Sequence, residues 1–231
     1  MCWSSKPFVL YLLAIFPLFT LIHPSCSASH LERRRHKHRH SGPPLDFLYI
    51  MIQPVDYTNG PLKIYTADGT IAYQFSKVHL DSDQGLSTSE LQTGSSQTVF
   101  ELVSLNDFCA VKTTFEEPKS PRSKHRRVEI YPRGMLKDKW RFSYIDDAGV
   151  RQNFKFNRGF ANKGGQIYAQ VNGHDGDLIA ELKNERRKDS WLTKGSEKVS
   201  VYTLSCAENS PREQLIAFMA LVFTRVSHCG L

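Results

Sequence analysis

The 231-residue chain is poor in patterned cysteine. Its five cysteines (Cys2, Cys26, Cys109, Cys206, Cys229) form no Cys-x-x-Cys pair and no metal-ligand spacing. Removal of a leader of about 28 residues would leave three, an odd number. That argues against a disulfide scaffold; one bridge at most fits, and buried free thiols are the plainer expectation. Catalytic signatures are missing too. There is no Gly-x-Ser-x-Gly elbow, no His-Glu-x-x-His, no phosphate-cradling glycine loop and no dinucleotide fingerprint. His79, His125, His174 and His228 are scattered, with His174 expected inside the turn "NGHDG". The pairs Glu116-Glu117 and Asp146-Asp147 flank expected turns, where solvation explains them better than a carboxylate dyad. None of the eight asparagines lies in a glycosylation sequon. A protein that is not an enzyme and uses no cofactor is the expectation.

Acidic residues are nearly absent from the first 45 positions, where Glu32 stands alone. Lys6, Arg33, Arg34, Arg35, Lys37 and Arg39 lie in the same stretch. Taking these from the totals of 30 basic and 23 acidic residues leaves 24 and 22. The net charge of +7 therefore belongs to a tail, and a nucleic-acid-binding surface over the whole domain is not expected.

The tail reads as two segments. Residues 1–29 carry the apolar run "KPFVLYLLAIFPLFTLI" followed by "HPSCSAS", with small residues suited to cleavage near Ala28 or Ser29. An apolar core of about 15 residues fits a signal peptide better than a spanning helix. Secretion or lumenal placement is the first expectation. The basic run that follows favours a second reading, an uncleaved anchor with a cytosolic C-terminal domain. Residues 30–44, "HLERRRHKHRHSGPP", read as a solvated linker. His36, His38 and His40 alternate there, so one extended face could collect a transition metal, although a metal-free basic spacer is the favoured reading.

From Leu45 onward the chain reads as one β domain, 45–231. Runs rich in Val, Ile, Phe, Tyr and Thr, punctuated by Gly, Asp and Asn, predict strands near 47–53, 62–66, 71–78, 97–104, 108–115, 126–131, 139–145, 150–156, 166–172, 177–183 and 198–205. About eleven strands joined by short loops suggest an antiparallel meander that closes to remove its edges. In "WRFSYIDDAGVRQNFKF" the apolar faces meet only if Trp140 opposes Phe156 and Phe142 opposes Phe154, across an odd-length turn with Gly149 at positive φ. The same logic pairs Ile167, Ala169 and Val171 with Leu182, Ala180 and Leu178 in "QIYAQVNGHDGDLIAELK".

The chain closes on "SPREQLIAFMALVFTRVSHCGL". Ser210, Pro211 and Glu213 form a capping-box pattern, and 215–223 are nine unbroken apolar residues. A helix apolar all round must be buried all round, and nine residues fall far short of a membrane span. The economical arrangement is a helix threaded through a closed barrel. Deletion of 211–231 is then expected to give insoluble protein, and a soluble folded truncation would contradict the arrangement.

These features resemble the tubby C-terminal domain and its relatives, the phospholipid scramblases and LURP-one-related proteins. The resemblance rests on "PLKIYTADGTIAYQFSKV" (61–78), "KWRFSYIDDAGVRQNFKF" (139–156), "IYAQVNGHDGDLIAELKNERR" (167–187) and "QLIAFMALVF" (214–223). It implies a mainly β fold, a closed antiparallel barrel of about twelve strands around a central C-terminal helix, one strand more than the pattern supplies. It also implies a non-enzymatic binding module, membrane-associated through an anionic phospholipid or phosphoinositide. The N-terminal leader departs from the family's usual cytosolic placement.

Three basic clusters are candidate contacts. The loop "EEPKSPRSKHRR" holds Lys119, Arg122, Lys124, Arg126 and Arg127. One hairpin face holds Lys139, Arg141, Arg151 and Lys155, with Arg141 opposite Lys155. The third group is Lys183, Arg186, Arg187 and Lys188. Like charges directly opposed are destabilising unless an anionic lipid or nearby carboxylates neutralise them. The alternative function is a secreted or lumenal scaffold for protein contacts, or for metal on the His-rich tail. A monomer is expected.

Overall fold

A computed structural model describes residues 42–230 apart from 56, 58, 59, 134, 135 and 194. The leader, nearly all of the linker and the three alternating histidines His36, His38 and His40 lie outside the described residues.

Twelve strands follow one another around a closed antiparallel barrel: β1 (Phe47–Ile52), β2 (Leu62–Thr66), β3 (Ile71–Asp81), β4 (Leu86–Thr93), β5 (Thr98–Ser104), β6 (Thr113–Glu116), β7 (Arg127–Arg133), β8 (Leu136–Ile145), β9 (Arg151–Arg158), β10 (Gly164–Val171), β11 (His174–Arg187) and β12 (Val199–Cys206). Each strand pairs with its neighbours in sequence, and β12 closes on β1 from Phe47↔Cys206 to Ile52↔Val201. Helix α1 (Arg212–Cys229) ends the chain. This is the architecture that the tubby resemblance implied.

The twelfth strand is β4, "LSTSELQT". Its inward residues are Ser87, Ser89 and Leu91, so polarity alternates with small polarity and the run lacks the branched signature of its neighbours. Conversely, the strand expected over 108–115 shrinks to β6. Residues 105–112 are a loop instead, and β5 touches β6 through the single bridge Val103↔Glu116. That seam is the barrel's thinnest.

The β8–β9 register is the expected one. Trp140 opposes Phe156, Arg141 opposes Lys155 and Phe142 opposes Phe154, around a five-residue turn 146–150 with Gly149 at φ 77°. The β10–β11 register differs from expectation. Ile167 opposes Ala180 and Tyr168 opposes Leu178, with shifts on both sides of Tyr168. Asn172 (φ 51°) and Gly173 (φ 81°) both adopt positive φ, a two-residue hairpin turn that forces Val171 opposite His174. His174 therefore starts a strand rather than sitting within a longer loop.

Inside the barrel, α1 is buried continuously from Leu215 to Arg225. Phe218 lies 5.4 Å from the Trp140 ring, 5.1 Å from Phe142 and 5.3 Å from Phe156. Each fully buried apolar side chain contributes about 1.5–3 kcal/mol, so the helix dominates the core. Among the described residues no helix is long and apolar enough to cross a membrane. The capping box does not form. The Ser210 hydroxyl donates to the Ala207 carbonyl (2.7 Å), Pro211 takes the cap position, and Glu213 instead approaches Arg126 (3.8 Å).

Because strands alternate in direction, the loops fall into two ends. Arg212 packs 3.6 Å over the Phe47 ring, which puts the helix N-terminus at the end bearing the turns 67–70, 94–97, 146–150 and 172–173 and the loop 117–126. The helix C-terminus emerges at the end bearing 53–61, 82–85, 105–112 and 159–163. There a Cys109–Cys229 disulfide ties the β5–β6 loop to α1, which corrects the expectation of free thiols. Those two residues lie 120 positions apart, and spacing alone gave no reason to pair them. Cys206 is free and buried, and burial pushes its thiol up to about 11.

Candidate functional site

The strand pairing that aligns the apolar core also aligns an outward row across β7, β8 and β9. Glu129 opposes Arg141, which opposes Lys155; Tyr131 opposes Lys139; Arg127 opposes Ser143. Six cations (Lys112, Arg127, Lys139, Arg141, Arg151, Lys155) share this region with three carboxylates (Glu116, Glu129, Asp175).

The carboxylates are unevenly spent. Glu129 takes both Lys112 (2.7 Å) and Arg127 (3.2 Å), and the two cations hold it below the usual carboxylate range despite some burial. Asp175 accepts from Gln170 (2.8 Å), Asn157 (3.0 Å) and Lys155 (3.0 Å), which depress it to about 2. Lys155 is thus neutralised within the fold. Arg141 sits 6.0 Å from the Tyr131 ring centre, and Arg151 donates to the Ser143 hydroxyl (2.9 Å). Among the described residues Lys139, Arg141 and Arg151 pair with no carboxylate. Two shallow grooves of about 380 and 530 Å³ flank this row and share Arg127, Glu129, Ser143 and Asn153.

The β11 cluster does not join it, and the 117–127 cluster meets it only at the groove edges, through Lys119, Arg126 and Arg127. Lys183 pairs with Glu181 (2.8 Å), Arg187 binds Asp189 through two 2.8 Å bonds, and Arg186 donates to the Lys198 carbonyl (3.0 Å). In the 117–126 loop, Lys124 pairs with Asp147 (2.8 Å). Arg126 is buried against Glu117 (2.7 Å) and lies 4.3 Å over the Phe100 ring. Arg186, Lys119, Arg122 and Lys188 have no carboxylate partner among the described residues, but they are not gathered on one face.

A second polar constellation escaped sequence reading. At the helix C-terminal end, Lys77 (side chain 5% exposed) pairs with Asp107 at 2.7 Å, and Ser87 donates to the same carboxylate at 2.8 Å. Burial lowers the Lys77 amine, with Asp107 opposing. Burial alone would raise Asp107, but Lys77 and the two hydrogen bonds outweigh it and hold the carboxyl low. Arg225, 2% exposed, donates to the carbonyls of Phe108 (2.8 Å) and Cys109 (2.8 Å) and faces Asp138 at 3.6 Å. Burial raises the Asp138 carboxyl, opposed by Arg225. His79 and His228 stack with ring centres 5.2 Å apart, and burial, then Lys77, keeps His79 below its ordinary range. The legible signal was parity: Lys77 shares the inward side of β3 with Phe75, and Arg225 lies two residues beyond the apolar helix run. Among the described residues no cluster of three or more metal-ligating side chains forms.

No family model matches the chain, and no curated protein matches it. Among solved structures, an X-ray structure of a protein from Arabidopsis thaliana aligns with 78% of this chain and 94% of its own, at 13% identity and a TM-score of 0.43.

Proposed function

We propose that the chain is a non-enzymatic, tubby-like binding module that engages an anionic phospholipid headgroup through the outward face of β7–β9. The observation that carries this reading is the surplus of unpaired cations there. Lys139, Arg141 and Arg151 share one outward face without carboxylate partners, Arg141 lining one groove and Arg151 the other, whereas Lys155, Lys124, Arg126, Lys183 and Arg187 are each paired with a carboxylate. Each basic side chain near an anionic surface contributes about 1 kcal/mol, so three act additively as a weak, salt-sensitive docking face. The test is co-sedimentation with phosphatidylcholine vesicles carrying increasing phosphatidylserine or phosphoinositide. Binding should rise with anionic lipid and fall with salt, and an Arg141→Glu/Arg151→Glu variant should lose it. Binding unchanged by that double reversal would reject the face.

A second reading, a secreted or lumenal scaffold, is favoured by one observation. The Cys109–Cys229 bridge suits an oxidising compartment and fits the leader-like residues 1–29. Protease protection of the barrel in sealed membranes separates the two placements.

A further inference from the structure

At the helix C-terminal end, a cavity of about 260 Å³ opens between α1, the end of β3 and Tyr57 of the β1–β2 loop. Tyr57, Lys77, His79, Thr224, Ser227 and His228 line it, and a second opening of about 440 Å³ shares Lys77 and His79. Every one of the six lining side chains carries a hydrogen-bond donor, and among the described residues no carboxylate joins them. Asp107, the partner of Lys77 and 3.9 Å from His79, has a side chain 1% exposed and is not among the lining residues, whereas Lys77 is. An ammonium has three donors, and Asp107 occupies one of them. Oxygen acceptors in the cavity would meet Lys77, the two imidazoles and the Ser227 hydroxyl at once.

The end of the barrel that holds this cavity also carries most of the exposed apolar side chains among the described residues. Seven of the nine exposed large hydrophobic residues lie at this end: Val55, Val78, Leu80, Leu105, Phe108, Val111 and Phe160. Leu105 is 75% exposed and Phe160 87%. Among the described residues the opposite end has only Val150 and Val171. A donor-lined cavity holding Lys77, at an end of the barrel rich in exposed apolar residues, matches a molecule built the same way, with an anionic head on an apolar body.

We infer that the helix C-terminal end of the barrel is a binding site for an anionic amphiphile, its carboxylate or phosphate head seated against Lys77, His79, Ser227 and His228 and its apolar part against the exposed apolar residues of that end. The head is the shared chemistry of a free amphiphile and a lipid held in a membrane. This site is separate from the β7–β9 face and does not depend on it.

The test uses the purified, disulfide-intact protein and calorimetric titration with dihexanoyl phosphatidic acid below its micelle concentration. Dihexanoyl phosphatidylcholine and inorganic phosphate serve as comparators. Saturable binding of phosphatidic acid, tighter than either comparator, is expected. Ser227 and His228 are exposed, so Ser227→Asp and His228→Ala should leave the melting temperature unchanged and weaken binding about tenfold, the loss of a charge-assisted hydrogen bond. Arg141→Glu should leave this titration unaffected, which separates the site from the basic face. Vesicles of phosphatidylcholine doped with phosphatidic acid distinguish the sources. Binding lost in both Ser227→Asp and Leu105→Ser supports a membrane lipid; soluble ligand bound without vesicle binding supports a free amphiphile. No saturable binding, or affinity indifferent to both cavity variants, would overturn the site. Phosphate bound as tightly as phosphatidic acid would overturn the amphiphile assignment.

Discussion

The two ends of the barrel solve the same closure problem by different means. At the helix N-terminal end four short turns and one loop return the chain, and their charges are paired locally: Arg126 with Glu117, Lys124 with Asp147. Apolar exposure there is slight. At the C-terminal end the β5–β6 seam has one bridge, the loop after it runs eight residues, and closure comes from long-range ties instead. These are the Cys109–Cys229 bridge, Arg225 on the Phe108 and Cys109 carbonyls, and the Lys77–Asp107 pair. A thin seam leaves backbone groups without ladder partners, and groups buried in that state must be satisfied by other means. The lesson is that sheet regularity makes one end self-sufficient, whereas its lack makes the other end depend on α1.

The largest test of that contrast removes the bridge. A Cys109→Ser/Cys229→Ser variant should lose about 4 kcal/mol, the loop-closure cost for a chain segment on the order of 100 residues. Urea unfolding measures the loss. Hydrogen exchange should quicken in 105–113 while the turns at 146–150 and 172–173 keep their protection. Equal quickening at both ends would break the comparison.

Next in size is Arg225→Ala, at about 3 kcal/mol, because it strands Asp138 and two loop carbonyls in the interior. The matching change at the other end, Arg126→Ala, should cost about 2 kcal/mol, since it loses a charged hydrogen bond near the mouth and contact with Phe100. Denaturant midpoints order the two. A larger cost for Arg126→Ala would reverse the roles assigned to the ends.

Acid should also act unequally. Asp107 has a folded pKa below its unfolded value, so its contribution is complete above the ordinary carboxylate range and is lost as pH falls through the folded value. Stability should therefore decline below about pH 4, and Asp107→Asn should flatten that decline while lowering stability at neutral pH. Chemical denaturation across the acid range provides the check. An unchanged slope would show that the Lys77 end does not govern acid sensitivity.

How much of this was readable follows the same division. The β8–β9 register, the all-round apolar helix and the closed meander were legible because each rests on side-chain period and on apolar faces that must meet. The strand β4 was not, because the barrel interior accepts Ser87 and Ser89 where Ser87 binds Asp107, and no periodicity rule anticipates a polar inward strand. The β10–β11 pairing failed for a local reason: the Asn172-Gly173 turn outweighs the apolar match, and shifts beside Tyr168 absorb the difference. Buried cations were missed because each has a partner remote in sequence, as with Arg225 and Cys109, 116 positions apart. On the basic face, Arg141 opposite Lys155 was legible, but Asp175 as the acceptor for Lys155 needed the tight turn that swings it back across β10.

That acceptor supplies the smallest and most specific test. Asp175 is held at about 2 by three donors, yet its side chain is 32% exposed, so solvent screening limits its worth to under about 1 kcal/mol of stability. Asp175→Asn should barely change the urea midpoint, but it releases Lys155 beside Arg141 and adds a fourth unpaired cation to the face. Affinity for anionic vesicles should then rise about fivefold, on the order of 1 kcal/mol for one more cation near the surface, with a steeper salt dependence. Binding of phosphatidic acid at the opposite site should not change, because Asp175 lies by the β10–β11 turn at the helix N-terminal end. Vesicle affinity that stays level while Lys155 is freed would mean the face is only a solvated surface, and the ligand chemistry of this protein would then rest on the C-terminal end alone.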